Sequence, residues 1–163
     1  MALPLQDVRI IDLTQALAGP YATMLLGDMG ADVIKIEPPG VGDQSRGWGP
    51  PFLQGESAYF LCCNRNKRSL SLDISAPAGQ AIMADLLAGA DVFIANIPRQ
   101  ESLRKNGLDY PTLHARLPRL IVCSISGFGM DGPYAGRPGY DLSLIHISEP
   151  TRLLSISYAV FCL

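Results

Sequence analysis

Several residues in this 163-residue sequence carry chemistry at positions where a ligand could meet them. The turn Ala18-Gly19-Pro20 follows a short apolar run and opens a helix, whose first N–H groups lack intrahelical acceptors and suit a phosphate. It is not a GxGxxG fingerprint, and Gly19-Pro20 reads equally well as an ordinary helix start. Arg65, Lys67 and Arg68 crowd into NRNKRS just ahead of a predicted strand. Guanidinium and ammonium groups at this density fit phosphate, and they also fit a solvated surface. Arg104 and Lys105 carry the same two readings.

Other candidates are weaker. His114 lies in a short amphipathic helix with no Cys, Ser or acidic partner spaced around it, so it reads as a surface or capping residue. Trp48 and Tyr59 would serve an apolar pocket or the core. Nothing matches a metal site, a P-loop or a serine elbow. Cys62 and Cys63 are neighbours, and with Cys123 and Cys162 they form neither a disulfide framework nor a CxxC pair, as expected for a reducing cytoplasm. The net charge of −2 predicts no nucleic-acid or anionic-membrane footprint, so local basic residues must meet any anion. No apolar run approaches membrane-spanning length, and MALPLQDVRIIDL does not read as a signal peptide.

The elements that must position these residues alternate. Val8–Leu13 (VRIIDL) reads as a buried strand, followed by a helix from Pro20 to about Met29 stopped by Gly30, with Tyr21, Met24, Leu25 and Asp28 on one face. Ala31–Glu37 (ADVIKIE) completes a βαβ unit. Pro38–Glu56 is a long ordered loop rich in Gly and Pro. Ser69–Asp73 is a strand. Ser75 then caps a helix that has Pro77 in its first turn, buries Ile82, Met83, Leu86 and Leu87, and ends at Gly89. Strands follow at Asp91–Asn96 and Leu120–Ile125, with short helices between. The pattern predicts an α/β, Rossmann-like parallel sheet with flanking helices. Ligands of such sheets bind beyond the carboxyl ends of the strands, which singles out Gln15–Pro20, Pro38–Trp48, Asn96–Arg104 and Ser126–Asp141. The residues alone therefore point to a binding domain for something phosphorylated.

Three long stretches add a resemblance. LTQALAGPYATMLLGDMGADVIKIEPPGVGDQSRGW, YFLCCNRNKRSLSLD and SGFGMDGPYAGRPGYD resemble the CaiB/BaiF, or type III, CoA-transferases in order and spacing from Leu5 to Asp141. The resemblance implies a cytoplasmic enzyme, an interlocked homodimer, that exchanges coenzyme A between an acyl-CoA and a free carboxylate. It implies CoA as a substrate and no tightly bound cofactor. It places CoA contacts at Gln15, Ala16, Leu17 and Ala18, around Pro38, at Leu72, Asp73, Ile74 and Ser75, at Asn96, Ile97 and Pro98, and at Arg104 or Lys105. An Arg often stands in the family where this chain has Pro38, which leaves Arg46, Lys67, Arg68 and Arg104 to supply charge to the phosphates. One extra residue between Asn96 and Gly107 keeps both Arg104 and Lys105 in play.

The family includes α-methylacyl-CoA racemases, whose acid/base His would fall at Tyr140 of Gly139-Tyr140-Asp141; a tyrosine there favours the transferase. A non-catalytic nucleotide-binding module is the remaining alternative. The transferase nucleophile, an Asp forming an acyl anhydride and then a CoA thioester, is expected some tens of residues beyond Asp141. Asp141 is not expected to be that residue, so no catalytic residue is assigned, and the 163 residues alone are expected to be inactive. Residues 1–141 read as part of an N-terminal α/β domain. Residues 142–163 read as foreign: Ser143–Arg152 (SLIHISEPTR) and Ile156–Leu163 (ISYAVFCL) resemble a translated sequencing-library adapter around a three-residue index.

Overall fold

The computed structural model describes residues 2–97, 100–135, 137 and 139. They fall into two units, divided between Ile125 and Ser126. The residues read as a foreign tail lie outside the described ones, as does Tyr140.

In the first unit, β1 (Arg9–Leu13), α1 (Ala18–Asp28) and β2 (Asp32–Glu37) form the expected crossover. A loop follows, carrying a 3-10 turn at Gln44–Gly47 and a small hairpin of β3 (Phe52–Leu53) and β4 (Glu56–Ser57). Gln54 and Gly55 both have positive φ, as a two-residue hairpin turn requires. Then come α2 (Ala58–Asn64), β5 (Lys67–Ser71), α3 (Pro77–Ala88), β6 (Val92–Ala95), α4 (Gln100–Lys105), α5 (Tyr110–Arg116) and β7 (Ile121–Ser124).

The five long strands are all parallel, in the order β5-β2-β1-β6-β7. The chain thus starts in the middle, builds outward to one side, and returns to build the other. This is the doubly wound order, and its switch point lies between β1 and β6.

Register and the two-residue period of a strand sort side chains onto two faces. One face carries Ile11, Ile34, Ile36, Phe93 and Ala95, buried with the partly buried Leu70 against Met83 and Leu87 of α3, Leu103 of α4 and Leu113 of α5. Each large apolar side chain buried there stabilises the fold by about 1.5–3 kcal/mol. The other face begins apolar, with Ile10, Val33 and Ile94 against Leu26. Toward the carboxyl ends it turns polar, with Asp12, Lys35, Glu37 and Ser69 in successive register positions.

The structure departs from expectation in four places. Helix α2 occupies a stretch to which the sequence assigns no element; Ser57 starts it by accepting a hydrogen bond from the Phe60 amide at 3.3 Å. Strand β5 begins at Lys67 rather than Ser69, because Lys67 and Arg68 pair in register with Val33 and Ile34 of β2. On α1, Tyr21 and Leu25 face outward, while Pro20, Thr23, Met24 and Gly27 are buried, since this helix covers the polar part of the sheet. On α3, Met83 and Leu87 are buried but Ile82 is exposed, and Ser75 bonds Asp73 instead of capping the helix.

Candidate functional site

The loop after β1 and the residues after β6 diverge at the switch point, and a pair of amide hydrogen bonds ties them together. The Gln15 N–H donates to Asn96 Oδ1 at 3.0 Å, and Asn96 Nδ2 donates to the Gln15 carbonyl at 2.8 Å. One side chain therefore satisfies both backbone groups of a residue 81 positions away. The next residue, Ala16, is held at φ +67°, in the left-handed region that costs a residue with a Cβ about 1–2 kcal/mol. Its N–H donates to Asp43 Oδ1 at 3.2 Å. Leu17 and Ala18 are exposed, and no side chain caps the N-terminus of α1. Gly19 lets this helix sit against the loop: a Cβ there would lie 2.4 Å from the Thr14 side chain.

Beneath this loop is a network of buried charge. Asp12, Lys35 and Asp43 are 0%, 1% and 1% exposed. Asp12 accepts from the amide and hydroxyl of Thr14, from Thr23 Oγ1 at 2.6 Å and from Lys67 Nζ at 3.0 Å. Lys67 also donates to the Pro20 carbonyl at 2.8 Å and to Asn64 Oδ1 at 2.9 Å. Lys35 donates to the Thr14 carbonyl at 2.7 Å and lies 2.8 Å from Asp43 Oδ2. Asp43 accepts from the amide and hydroxyl of Ser45 and donates its own N–H to Glu37 at 2.8 Å. Glu37 is gripped by Arg46 through two bonds, at 2.7 and 2.8 Å, and by Ser69 at 2.7 Å.

The electrostatics follow from these contacts. Burial pushes the Glu37 carboxyl up, but Arg46, Ser69 and the Asp43 amide overcome it and hold the group down at about 2. Burial also opposes ionisation of Asp43, and the Lys35 ammonium with Ser45 outweighs it, so that carboxyl too lies below its ordinary range. For Lys67 burial wins, and its ammonium is held below the usual value although Asp12 pulls the other way. Burial and the adjacent Cys62 push the Cys63 thiol up to about 11.

These contacts correct the expectation that Arg46, Lys67 and Arg68 face the phosphates. Lys67 is committed to Asp12 under α1. Arg68 pairs with Asp32 at 2.6 Å, at the opposite end of the strands. Arg65 grips Asp28 at the far end of α1. Arg46 pins the 38–56 loop through Glu37 and lies over the Phe60 ring. Of the NRNKRS cations, Lys67 is thus committed to a buried carboxylate, while Arg65 and Arg68 pair at the surface away from the carboxyl ends of the strands.

The other expected contacts divide. Leu72 is buried in the core and its N–H donates to the Glu37 carbonyl, leaving the following residues to face outward from the end of β5. Asp73 accepts from the Ser75 amide at 2.9 Å and hydroxyl at 2.6 Å, which together hold its carboxyl low. An ionised, acceptor-only group at this position suits a hydroxyl-bearing part of a ligand and opposes a phosphate. Ile74 is half-buried and packs on the core. Ile97 follows Asn96 and is half-buried; Pro98 lies outside the described residues. Arg104 and Lys105 are both exposed, in the last turn of α4, which Leu103 anchors. Pro38 is half-buried, and its carbonyl accepts from Gly42. His114 is exposed and stacked on Tyr110, and Trp48 packs edge-on against Tyr59 at 5.0 Å between centroids. Among the described residues no cluster could hold a metal ion, and no helix is long and apolar enough to cross a membrane.

Sequence reasoning missed Asp12, Lys35, Glu37 and Asp43. A signal for Asp12 was present: it is a charge inside a run predicted to be a buried strand, and a buried charge requires a partner.

A doubly wound parallel sheet with its switch point between β1 and β6 defines a Rossmann-like α/β protein. Comparison narrows this further: residues 5–151 match CoA-transferase family III, and the chain belongs to that family. The match runs into the segment read as foreign. The chain is 49% identical over 154 residues to mouse (Mus musculus) succinyl-CoA:glutarate CoA-transferase, covering 90% of this chain and 35% of the relative. It is 50% identical over 144 residues to succinate–glutarate CoA-transferase of Agrobacterium fabrum, covering 85% and 36%. Among solved structures, a CaiB/BaiF family protein from Brucella suis superposes with a TM-score of 0.83 at 46% identity, covering 90% of this chain and 39% of that one. The chain therefore spans about a third of the length of these curated relatives.

Proposed function

We propose that the whole protein is an acyl-CoA:carboxylate CoA-transferase, and that this chain supplies its coenzyme A-binding crevice. The observation that carries the reading is the Gln15–Asn96 amide pair at the switch point, which fixes an uncapped helix start beside an exposed loop. In this reading Gln15, Ala16, Leu17 and Ala18 meet the coenzyme largely through backbone groups, with Asn96 and Ile97 on the other side and Pro98 a further expected contact. Asp73, Ile74 and Ser75, with the backbone of Leu72, receive its hydroxyl-bearing part. Arg104 or Lys105 supplies the charge for a phosphate, a role that the internally paired arginines cannot take.

The relatives' names favour succinyl-CoA as donor and a short dicarboxylate as acceptor. The reaction needs a nucleophilic carboxylate that takes the acyl group as an anhydride, releases the CoA thiolate, and is then itself converted to the thioester while the first acid departs. No described residue is assigned that role. CoA enters as a substrate with no tightly bound cofactor, and the working enzyme is a cytoplasmic homodimer with interlocked chains.

The test is to incubate the whole protein with succinyl-CoA and glutarate and follow glutaryl-CoA by chromatography. Transfer that requires both substrates is expected. Failure to transfer to any short dicarboxylate would overturn the reading. Exchange of the α-proton of a 2-methylacyl-CoA in heavy water, without transfer, would establish the racemase alternative instead.

A further inference from the structure

We propose that Asp43 and Lys35 are positioning residues for the coenzyme, acting on its affinity through the backbone of residues 14–17. The inference rests on the reading that this loop contacts CoA. Each of the two side chains touches the loop directly. Lys35 Nζ holds the Thr14 carbonyl at 2.7 Å, and Asp43 Oδ1 holds the Ala16 N–H at 3.2 Å. They also touch each other, at 2.8 Å, so the loop is gripped at two points by one ion pair.

Stability alone does not account for the pair. Both side chains are almost wholly buried, and replacing a buried ion pair with apolar groups of equal volume is often neutral or stabilising. What an apolar pair cannot do is accept the Ala16 N–H and donate to the Thr14 carbonyl. Ala16 needs such a restraint, since its left-handed φ is unfavourable for alanine. Asn96 holds Gln15 from the β6 side, while Asp43 and Lys35 hold its neighbours from the β2 side. The loop is thereby clamped across the switch point, and the start of α1 is aimed before a ligand arrives. Preorganisation of this kind raises affinity by lowering the ordering cost of binding.

The test uses the whole protein and coenzyme A itself. Calorimetry at fixed salt is run on the wild type, Asp43→Asn and Lys35→Met, with a thermal midpoint taken on each sample. Both variants are expected to bind CoA about tenfold or more weakly per folded molecule. KM for the acyl-CoA should rise in step, and KM for the acceptor acid should not. Ala16→Gly placed in the Asp43→Asn background removes the strain, so it should recover the thermal midpoint but not the affinity. Asp32→Asn deletes one charge at the far end of the strands and should leave affinity unchanged. Where Asp43→Asn fails to fold, Asp43→Glu keeps the charge, displaces the acceptor oxygen and should still weaken CoA. Affinity within twofold of wild type in the folded variants overturns the inference alone. No CoA binding by the wild type overturns the functional reading, and this inference with it.

Discussion

On the side of the sheet covered by α3 and α5, Ile11, Ile34, Ile36 and Phe93 pack in an apolar cluster. On the side covered by α1, their immediate sequence neighbours Asp12, Lys35 and Glu37 meet charge. The strands are the same and the burial is equally deep. The apolar face tolerates rearrangement, because dispersion and desolvation have no direction. The polar face does not, because its carboxylates and ammonium groups are held by directional hydrogen bonds and ion pairs to particular partners. The first face supplies stability, and the second fixes the geometry of the loop at the end of β1.

The difference can be broken most sharply at Asp12. Asp12→Asn removes the charge without the volume and leaves Lys67 buried beside a neutral amide. A loss of about 3–5 kcal/mol is expected in urea unfolding, with Asp12→Asn/Lys67→Met recovering the part due to the unpaired lysine. If the single and the double variant lost equally, the polar face would be ordinary packing. On the apolar face, Met83→Ala should cost about 2–5 kcal/mol by leaving a cavity, with no dependence on pH.

Acid should separate the faces further. Glu37 is held at about 2 in the fold, against an ordinary value of 4.5. A depressed carboxylate contributes stability that is fully present above 4.5 and disappears as pH falls toward 2, on the order of 3 kcal/mol in all. Unfolding free energy measured across that window should decline in the wild type, and the Glu37→Gln variant should lack that part of the decline. The smallest effect belongs to the exposed cluster at the other end of the strands, where Asp32 pairs with Arg9 and Arg68. Asp32→Asn there should cost no more than about 1 kcal/mol, and moderate salt should remove the difference.

The architecture was legible because its signals are local. VRIIDL, DVFIAN and LIVCSI announce strands by composition, while Pro77 and Gly89 mark the two ends of α3. The site was only half legible, for physical reasons. Gln15 and Asn96 stood out as ends of strands, but their pairing depends on strand order, which no short stretch encodes. ADVIKIE looks like a strand with a wet side because charge ordinarily faces water; only the α1 crossover reveals that Lys35 faces another buried charge. NRNKRS misled in the opposite sense. Its cations looked free because their carboxylates, Asp12, Asp28 and Asp32, lie far away in sequence.

The glycine in the first turn of α3 has a consequence for anyone building sequence libraries on this scaffold. A Cβ at Gly79 would come within 1.8 Å of the Asp73 carbonyl oxygen, a backbone atom that cannot swing aside as a side chain can. Residues 73–75, beside it, are the natural target for diversifying whatever the end of β5 recognises. Randomising them together with position 79 would fill the library with chains in which the helix has been levered off the loop, and those losses would be misread as failures of recognition. Holding Gly79 fixed makes the same library report on the ligand.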